Sequence, residues 1–364
     1  IAGCTALLLV AFGLRDSISD IIDNQWPAIS HYDYIVGMTS DVSSEEADQI
    51  NAELNQVGAT NIHRITRENV LLESPTQKAG SLTRTTIMTS NSLQDMAGLA
   101  TLRNRLSGQA IELGEDSVVI TEKLAKRLGV GVGDTIQVYA QDRIGNASGE
   151  PSTLTITGVA ENYVGSYLYV GPSAWHSLGI QDDATDGWYA TLPEDQTTRD
   201  AFGEKLINQA GVATVDDVNE AIHTYKESLA VVNRVVAILI VAAALLAFIV
   251  LYNLTNINIE ERIREIASLK VLGFTRHEVD AYVFREIALL AVFGALFGLV
   301  LGTYLEGFVV QTAEIDLVMF GRAIHAPSYW FAFGLTLVFS LLVYVAMRPK
   351  LKNIDMVESL KSVE

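Results

Sequence analysis

"VVNRVVAILIVAAALLAFIVLYNL" (231–254) contains one charged residue, Arg234, in an otherwise apolar or small-polar run. Crossing the hydrocarbon core of a bilayer takes about 20 mainly apolar residues, so this stretch is long enough to span. Two further runs, 281–305 and 328–347, meet the same length, and a shorter one, "IAGCTALLLVAFGL" (1–14), opens the chain. Only 19% of the 364 residues are charged, against about 25% in soluble domains. The section 15–230 is polar, so the apolar excess lies almost wholly in the four runs. Buried core helices of a soluble protein would not need this length.

The run 1–14 is too short by itself to span. It begins with Ile and has neither a basic leader nor a small-residue cleavage site, so it does not read as a signal peptide. It reads as a transmembrane helix truncated at its start, in a chain that is part of something longer. Cys4, the single cysteine, lies inside it; a disulfide within the chain and a cysteine-based metal site are both excluded.

Lys and Arg in short loops beside a membrane mark the cytoplasmic side, whereas long domains cross largely regardless of charge. The connection 255–280 carries Arg262, Arg264, Lys270 and Arg276, and the tail 348–364 carries Arg348, Lys350, Lys352 and Lys361; the loop 306–327 has only Arg322. Both basic segments belong in the cytoplasm. Four spans with both ends inside then place 306–327 and the long section after the first span outside. That section, 15–230, holds 31 Asp and Glu against 14 Lys and Arg, a balance of −17 out of −18 for the chain. A nucleic-acid partner is disfavoured, because phosphate backbones require a basic face.

The outer section reads as an α+β domain, possible as one lobe or two, over 31–214. "HYDYIVGM" (31–38), "SLTRTTIMT" (81–89), 152–170 and "GWYATL" (187–192) have strand content. "SSEEADQINAEL" (43–54) opens with a capping box, Ser43 and Glu46, and continues helical. In 117–140 a strand meets a Thr-capped helix over 121–128, Gly129 stops it, and a turn feeds a second strand; "TRDAFGEKLINQA" (198–210) is a further helix. On either flank, 15–30 and 215–230 read as stalk helices, the second with Val218, Ile222, Tyr225 and Leu229 at helical spacing. Catalytic or metal chemistry does not stand out. His31, His63, His176 and His223 are dispersed, and no G-x-S-x-G elbow or G-x-x-x-x-G-K-[ST] loop occurs.

The charged interruption "IEERIREIASLKVLGFTRHEV" (259–279) falls between two spans. Ile259, Ile263, Ile266 and Leu269 form one apolar stripe of a helix, while Glu261, Arg264, Glu265 and Ser268 occupy other faces. Gly273 ends that helix and a new one starts at Thr275. Mixed charge around apolar anchors suits a protein partner better than anionic lipid alone, which a basic face would serve. In the third span Gly294, Gly298 and Gly302 form a small-residue face of the kind that allows close helix contact in lipid, with a partner half or within this one.

The segment 261–279, the outer stretches "VVITEKLAKRLGVGVGDTIQV" and "TITGVAENYVGSYLYV", and the tail "RPKLKNIDMVESLKSVE" together resemble the FtsX-like, MacB-type permeases of ABC transporters over nearly the whole chain. "GCTALLLVAFGLRDSI" further resembles the start of the second, C-terminal repeat of long two-repeat permeases. The resemblance implies a multi-pass permease of the cytoplasmic membrane: four transmembrane helices, with the α+β extracytoplasmic domain inserted between the first and second. It also implies no cofactor in this chain. ATP and magnesium would be bound by a separate cytoplasmic ABC ATPase dimer, docked on Glu261, Arg262, Glu265, Leu269, Lys270 and Gly273. Further partners would be a second permease half, the N-terminal part of the same polypeptide, together with membrane lipid and an extracytoplasmic substrate or partner protein. The function implied is relay of ATPase-driven motion through the stalk to the outer domain, for export or extraction. A regulator that activates an outer enzyme or signalling partner by the same relay is the alternative.

Overall fold

The computed structural model describes the chain except residues 79, 143, 180–184, 263, 264, 266, 267, 270, 271, 273, 315–317, 322 and 353–364. In chain order the elements are α1 (Ala2–Asn24), β1 (Tyr34–Met38), α2 (Ser44–Gln56), β2 (Thr60–Glu73), β3 (Thr83–Thr89), α3 (Leu93–Leu99), β4 (Val118–Thr121), α4 (Glu122–Leu128), β5 (Thr135–Gln141) and β6 (Ala147–Thr155). There follow β7 (Gly158–Ala160), β8 (Tyr167–Val170), α5 (Pro172–Ser177), β9 (Thr185–Thr191), α6 (Gln196–Ile207), β10 (Val212–Asp217), α7 (Val218–Glu261), α8 (Arg276–Ala313) and α9 (Ala326–Lys352). Two compact units result: Ile1–Ser19, Ser228–Glu314 and Phe320–Glu364 form one, Asp20–Glu227 with Ile315–Met319 the other.

Among the described residues, the second unit is built on one ten-stranded sheet in the order β10-β1-β9-β2-β3-β8-β4-β7, with β5 pairing β2 and β6. Most pairs are antiparallel; β3 with β8 and β4 with β7 are parallel. Alternation along β2 explains how one sheet serves several cores, since successive side chains face opposite sides. Val70 and Leu72 join Ile120, Leu124, Ile136 and Leu168 on one side, and Ile65 joins Met88, Met96 and Tyr169 on the other. A third cluster, with Tyr34, Val36, Ile50, Leu54 and Leu206, fills the space between α2, α6 and the β1/β9 part of the sheet. The lobes left open by the sequence are thus regions of a single sheet, each with its own apolar cluster.

Local signals explain most of these elements. Ser43 and Glu46 make the capping box, with Ser43 N to Glu46 Oε2 at 2.9 Å. Gly129 ends α4 in the left-handed region at φ +67°, which glycine adopts without strain. Thr121 sits at the N-cap position of α4 but makes no capping bond; its hydroxyl instead accepts from Tyr167 N at 3.2 Å. The expected Thr cap gives way because the hydroxyl is taken by the neighbouring strand. β2, α3 and α5 had no expected counterpart. Residues 215–217, expected to be helical, are the end of β10, where Tyr34 pairs with Asp217 across β1.

Among the described residues, four helices are long and apolar enough to cross a membrane: Ala2–Ile21, Asn233–Ile257, Ala288–Thr312 and Ala326–Ala346. The span expected at 1–14 therefore extends past Arg15 and Asp16, and residues 306–313, expected in an outer loop, belong to α8. On α7, Val236, Ala243, Ala247, Leu251 and Thr255 form a buried stripe, while Ile238, Leu245 and Ile249 lie exposed. Such an outward apolar surface is suited to lipid. Thr5, Ala6, Leu8 and Leu9 of α1 are at most 1% exposed.

Candidate functional site

At the charged interruption, α7 runs without a break through Glu260 and Glu261, and Asn256 Nδ2 donates to Glu260 Oε1 at 3.0 Å. Arg262 is in a turn and half-buried; Glu265 is exposed and Leu269 half-buried. Lys270 and Gly273, with Ile263, Arg264 and Ile266, lie outside the described residues. The chain then turns: Leu272 N bonds Ser268 O at 3.0 Å and Phe274 N bonds Leu269 O at 3.1 Å. Thr275 starts α8, its N and Oγ1 both donating to Glu278 Oε2 at 2.8 Å. Leu272 and Phe274 are 75% and 48% exposed. Two apolar side chains and the carboxylate of Glu265 are thus exposed within one short segment, chemistry that can seat a protein surface.

The glycine face of α8 abuts α1. A Cβ on Gly298 would lie 2.5 Å from the Ala2 carbonyl oxygen and 2.7 Å from Thr5 Cβ; one on Gly302 would lie 3.0 Å from Ala6 Cα, and one on Gly294 2.8 Å from Ile1 Cγ2. Residue numbers rise together along both helices, so α1 and α8 pack parallel. The same face continues one turn on to Glu306, which is 3% exposed and accepts from Ser17 Oγ at 3.0 Å. Gly13 makes room for it, since a Cβ there would lie 2.6 Å from Glu306 Cγ. Beside them Asp16 Oδ2 accepts from Ser328 Oγ at 2.6 Å and His325 N at 3.0 Å, which joins α1 to the start of α9.

In the outer unit, the points where the chain enters and leaves are held by buried polar groups. After α1, residues 25–29 wind more widely, with Ser30 N bonding Gln25 O at 2.8 Å. Gln25 is 4% exposed. Its Oε1 accepts from Tyr163 N at 2.7 Å and Val164 N at 3.1 Å, and its Nε2 donates to Asn162 Oδ1 and Ser30 Oγ, both at 3.0 Å. The same loop receives the α8–α9 connection, where Met319 N donates to Tyr163 O at 2.8 Å.

At the other end, Arg199 of α6 is 1% exposed and forks onto Asp217, Nε and Nη2 both at 2.7 Å. Further donations reach Asp33 Oδ2 at 3.3 Å and the Asp33 carbonyl at 3.0 Å. Burial opposes the charge of Arg199, but the bonds to Asp217 and Asp33 outweigh it and raise its pKa. Asp217 also accepts from Asn219 N at 2.9 Å, so the clamp sits on the first turn of α7.

Two family models cover the chain: a MacB-like periplasmic core domain matches residues 1–222, and an FtsX-like permease C-terminal domain matches 237–356. The chain belongs to the FtsX-like, MacB-type permeases of ABC transporters. It is therefore a membrane protein with a large extracytoplasmic domain. Among solved structures it is similar to the periplasmic region of MacB from Actinobacillus actinomycetemcomitans (12% identity, 54% of this chain and 94% of that one, TM-score 0.32). It is also similar to a domain of a putative permease from Porphyromonas gingivalis (13%, 49% and 82%, TM-score 0.28). A third is the extracellular domain of the noncanonic ABC-type transporter YknZ from Gram-positive bacteria (15%, 50% and 99%, TM-score 0.27). No curated protein sequence matches the chain.

For this FtsX-like permease, sequence reasoning missed Gln25, Arg199 and Glu306. The last had a signal, because 294, 298, 302 and 306 are each four apart. Gln25 and Arg199 had none, since their partners lie far along the chain. His31 and His63 bond singly to Thr101 and Asp95, and among the described residues no His, Cys, Asp and Glu group is arranged to hold a metal.

Proposed function

We propose that this permease half takes up motion from a cytoplasmic ABC ATPase dimer at Glu261, Arg262, Glu265, Leu269, Lys270 and Gly273, and passes it along α1 and α7 to the extracytoplasmic domain. There it drives export or extraction of a substrate. Gly294, Gly298 and Gly302 keep α8 against α1 during that movement. The observation that carries this reading is the anchoring of both chain junctions in the outer domain, by Gln25 after α1 and Arg199 before α7. A helix end tied by several buried hydrogen bonds moves its domain with it rather than slipping. Leu272, Phe274 and Glu265, all exposed in the same short segment, add chemistry suited to the motor.

The test is the complex reconstituted in lipid. Glu265→Arg reverses charge at an exposed position, so insertion should be unaffected while permease-stimulated ATP hydrolysis falls at least tenfold. Gln25→Ala should leave ATPase binding intact and uncouple hydrolysis from outer-domain movement, read as distances between spin labels on the outer domain. Unchanged co-purification and turnover in Glu265→Arg would overturn the docking assignment.

A further inference from the structure

Arg84 of β3 and Arg127 of α4 line one cleft of about 530 Å³ in the extracytoplasmic domain, together with Asn69, Thr83, Ser166 and Tyr167. That volume is within the range of small-ligand sites, roughly 300–1,000 Å³. We propose that the cleft binds an oxyanion, a phosphate or carboxylate group, between these two guanidinium groups. The site is independent of the coupling reading, because it needs neither ATPase nor movement.

Neither arginine of the cleft has a carboxylate partner among the described residues. Acidic residues outnumber basic ones by more than two to one in this section, and other arginines there have found carboxylates. Arg64 pairs with Asp186 at 2.6 Å, Arg103 with Glu161 at 2.8 Å, Arg105 with Glu122 at 2.8 Å and Arg199 with Asp217 at 2.7 Å. Among the described residues, Arg84 and Arg127 make no such pair. Arg84 Nη2 donates to Gly145 O at 3.3 Å, and Arg127 Nη2 donates to Arg84 O at 3.2 Å. Both acceptors are backbone carbonyls, so among the described residues neither guanidinium touches a carboxylate.

Arg127 Nε is buried and has no hydrogen-bond partner among the described residues. That donor leaves part of the guanidinium's hydrogen-bonding capacity unmet by the protein. Guanidinium forks match the oxygens of carboxylate and phosphate, which accept two parallel bonds. Hydroxyls complete the wall. A side chain on Gly165, whose φ is +80°, would fall 2.6 Å from Tyr167 Oη, so the glycine leaves room for that hydroxyl.

The purified full chain in nanodiscs is titrated with inorganic phosphate, glycerol 3-phosphate and citrate, using calorimetry and the Nε signals of ¹⁵N-labelled arginine. At least one probe should bind saturably at one site, move the Arg127 Nε resonance, and weaken as NaCl rises. Glycerol 3-phosphate binding better than phosphate would point to a lipid or polymer headgroup, and citrate alone to a carboxylate ligand. Arg84→Gln, at an exposed position, and Arg127→Gln should each weaken binding at least tenfold. Lys205→Gln, which removes a lysine of α6 paired to Glu53 of α2, should not. Absence of saturable binding by all three probes, or binding indifferent to both arginine variants, would overturn the proposal. The wild-type arginine spectrum decides the matter even if Arg127→Gln misfolds.

Discussion

Ser17 on α1 donates a 3.0 Å hydrogen bond to Glu306 on α8, and both side chains are almost wholly buried, at 0% and 3% exposure. A carboxylate within a membrane-spanning segment is expensive unless it is partnered and faces the bundle interior. Here it does both, and Gly13 provides the space. The bond fixes the outer ends of two parallel helices whose inner portions meet through glycines.

A double-mutant cycle with Ser17→Ala and Glu306→Ala should therefore be non-additive. A buried hydrogen bond contributes about 0.5–1.5 kcal/mol, more where one group is charged, so a coupling of roughly 1 kcal/mol or more is expected in SDS unfolding of the micelle-bound chain. Simple additivity would show that the bond does not hold the helices together.

Gly298 and Gly307 lie on the same helix in opposite circumstances. A Cβ at 298 meets the Ala2 carbonyl at 2.5 Å, whereas at 307 nothing lies within 4 Å. Gly298→Ala should destabilise by about 1–3 kcal/mol, the usual cost of overpacking. Gly307→Ala should be neutral or slightly stabilising, because alanine is the better helix former. Equal unfolding midpoints for the two variants would contradict the close contact of α1 and α8.

Glu122 gives a pH dependence of known sign. Burial works against its charge, but the bonds from Arg105 at 2.8 Å and Lys126 at 2.6 Å prevail and hold its pKa at about 2. Its folded pKa is below the unfolded value, so its contribution is present above about pH 4.5 and is lost as pH falls through about 2. Tryptophan fluorescence of the outer domain during acid titration should show that loss. In Glu122→Gln the pH-7 stability should drop by on the order of 2 kcal/mol and the dependence over this window should flatten. A variant titrating like the parent would assign the acid sensitivity elsewhere.

Arg199 should tolerate little change. Removing one partner of a buried ion pair costs about 3–5 kcal/mol, since the other charges are left uncompensated. Arg199→Ala is expected to unfold the α6/β10 corner, and Arg199→Lys, which keeps the charge but cannot fork onto Asp217, to lose a smaller part. Hydrogen exchange of β10 amides measures both. Full protection in Arg199→Ala would mean that the clamp is dispensable.

Sequence alone determined the four spans, their orientation, the insertion of an α+β domain and the family, because each rests on local composition or on contiguous motifs. Apolar length, Lys and Arg placement, the Ser43–Glu46 capping box and the stop at Gly129 are all legible within a few residues. Tertiary structure decided the rest. It showed β2 as the long strand shared by several cores, drew 215–217 into β10, and carried α8 past Glu306. It also built the clamps of Gln25 and Arg199 and brought Arg84 and Arg127 into one cleft. Each of these depends on partners tens to hundreds of residues away: Gln25 meets Asn162, Ser17 meets Glu306 and Arg199 meets Asp33. Local propensity is blind to such partners, since hydrogen bonding and burial are settled only once the distant segment has arrived.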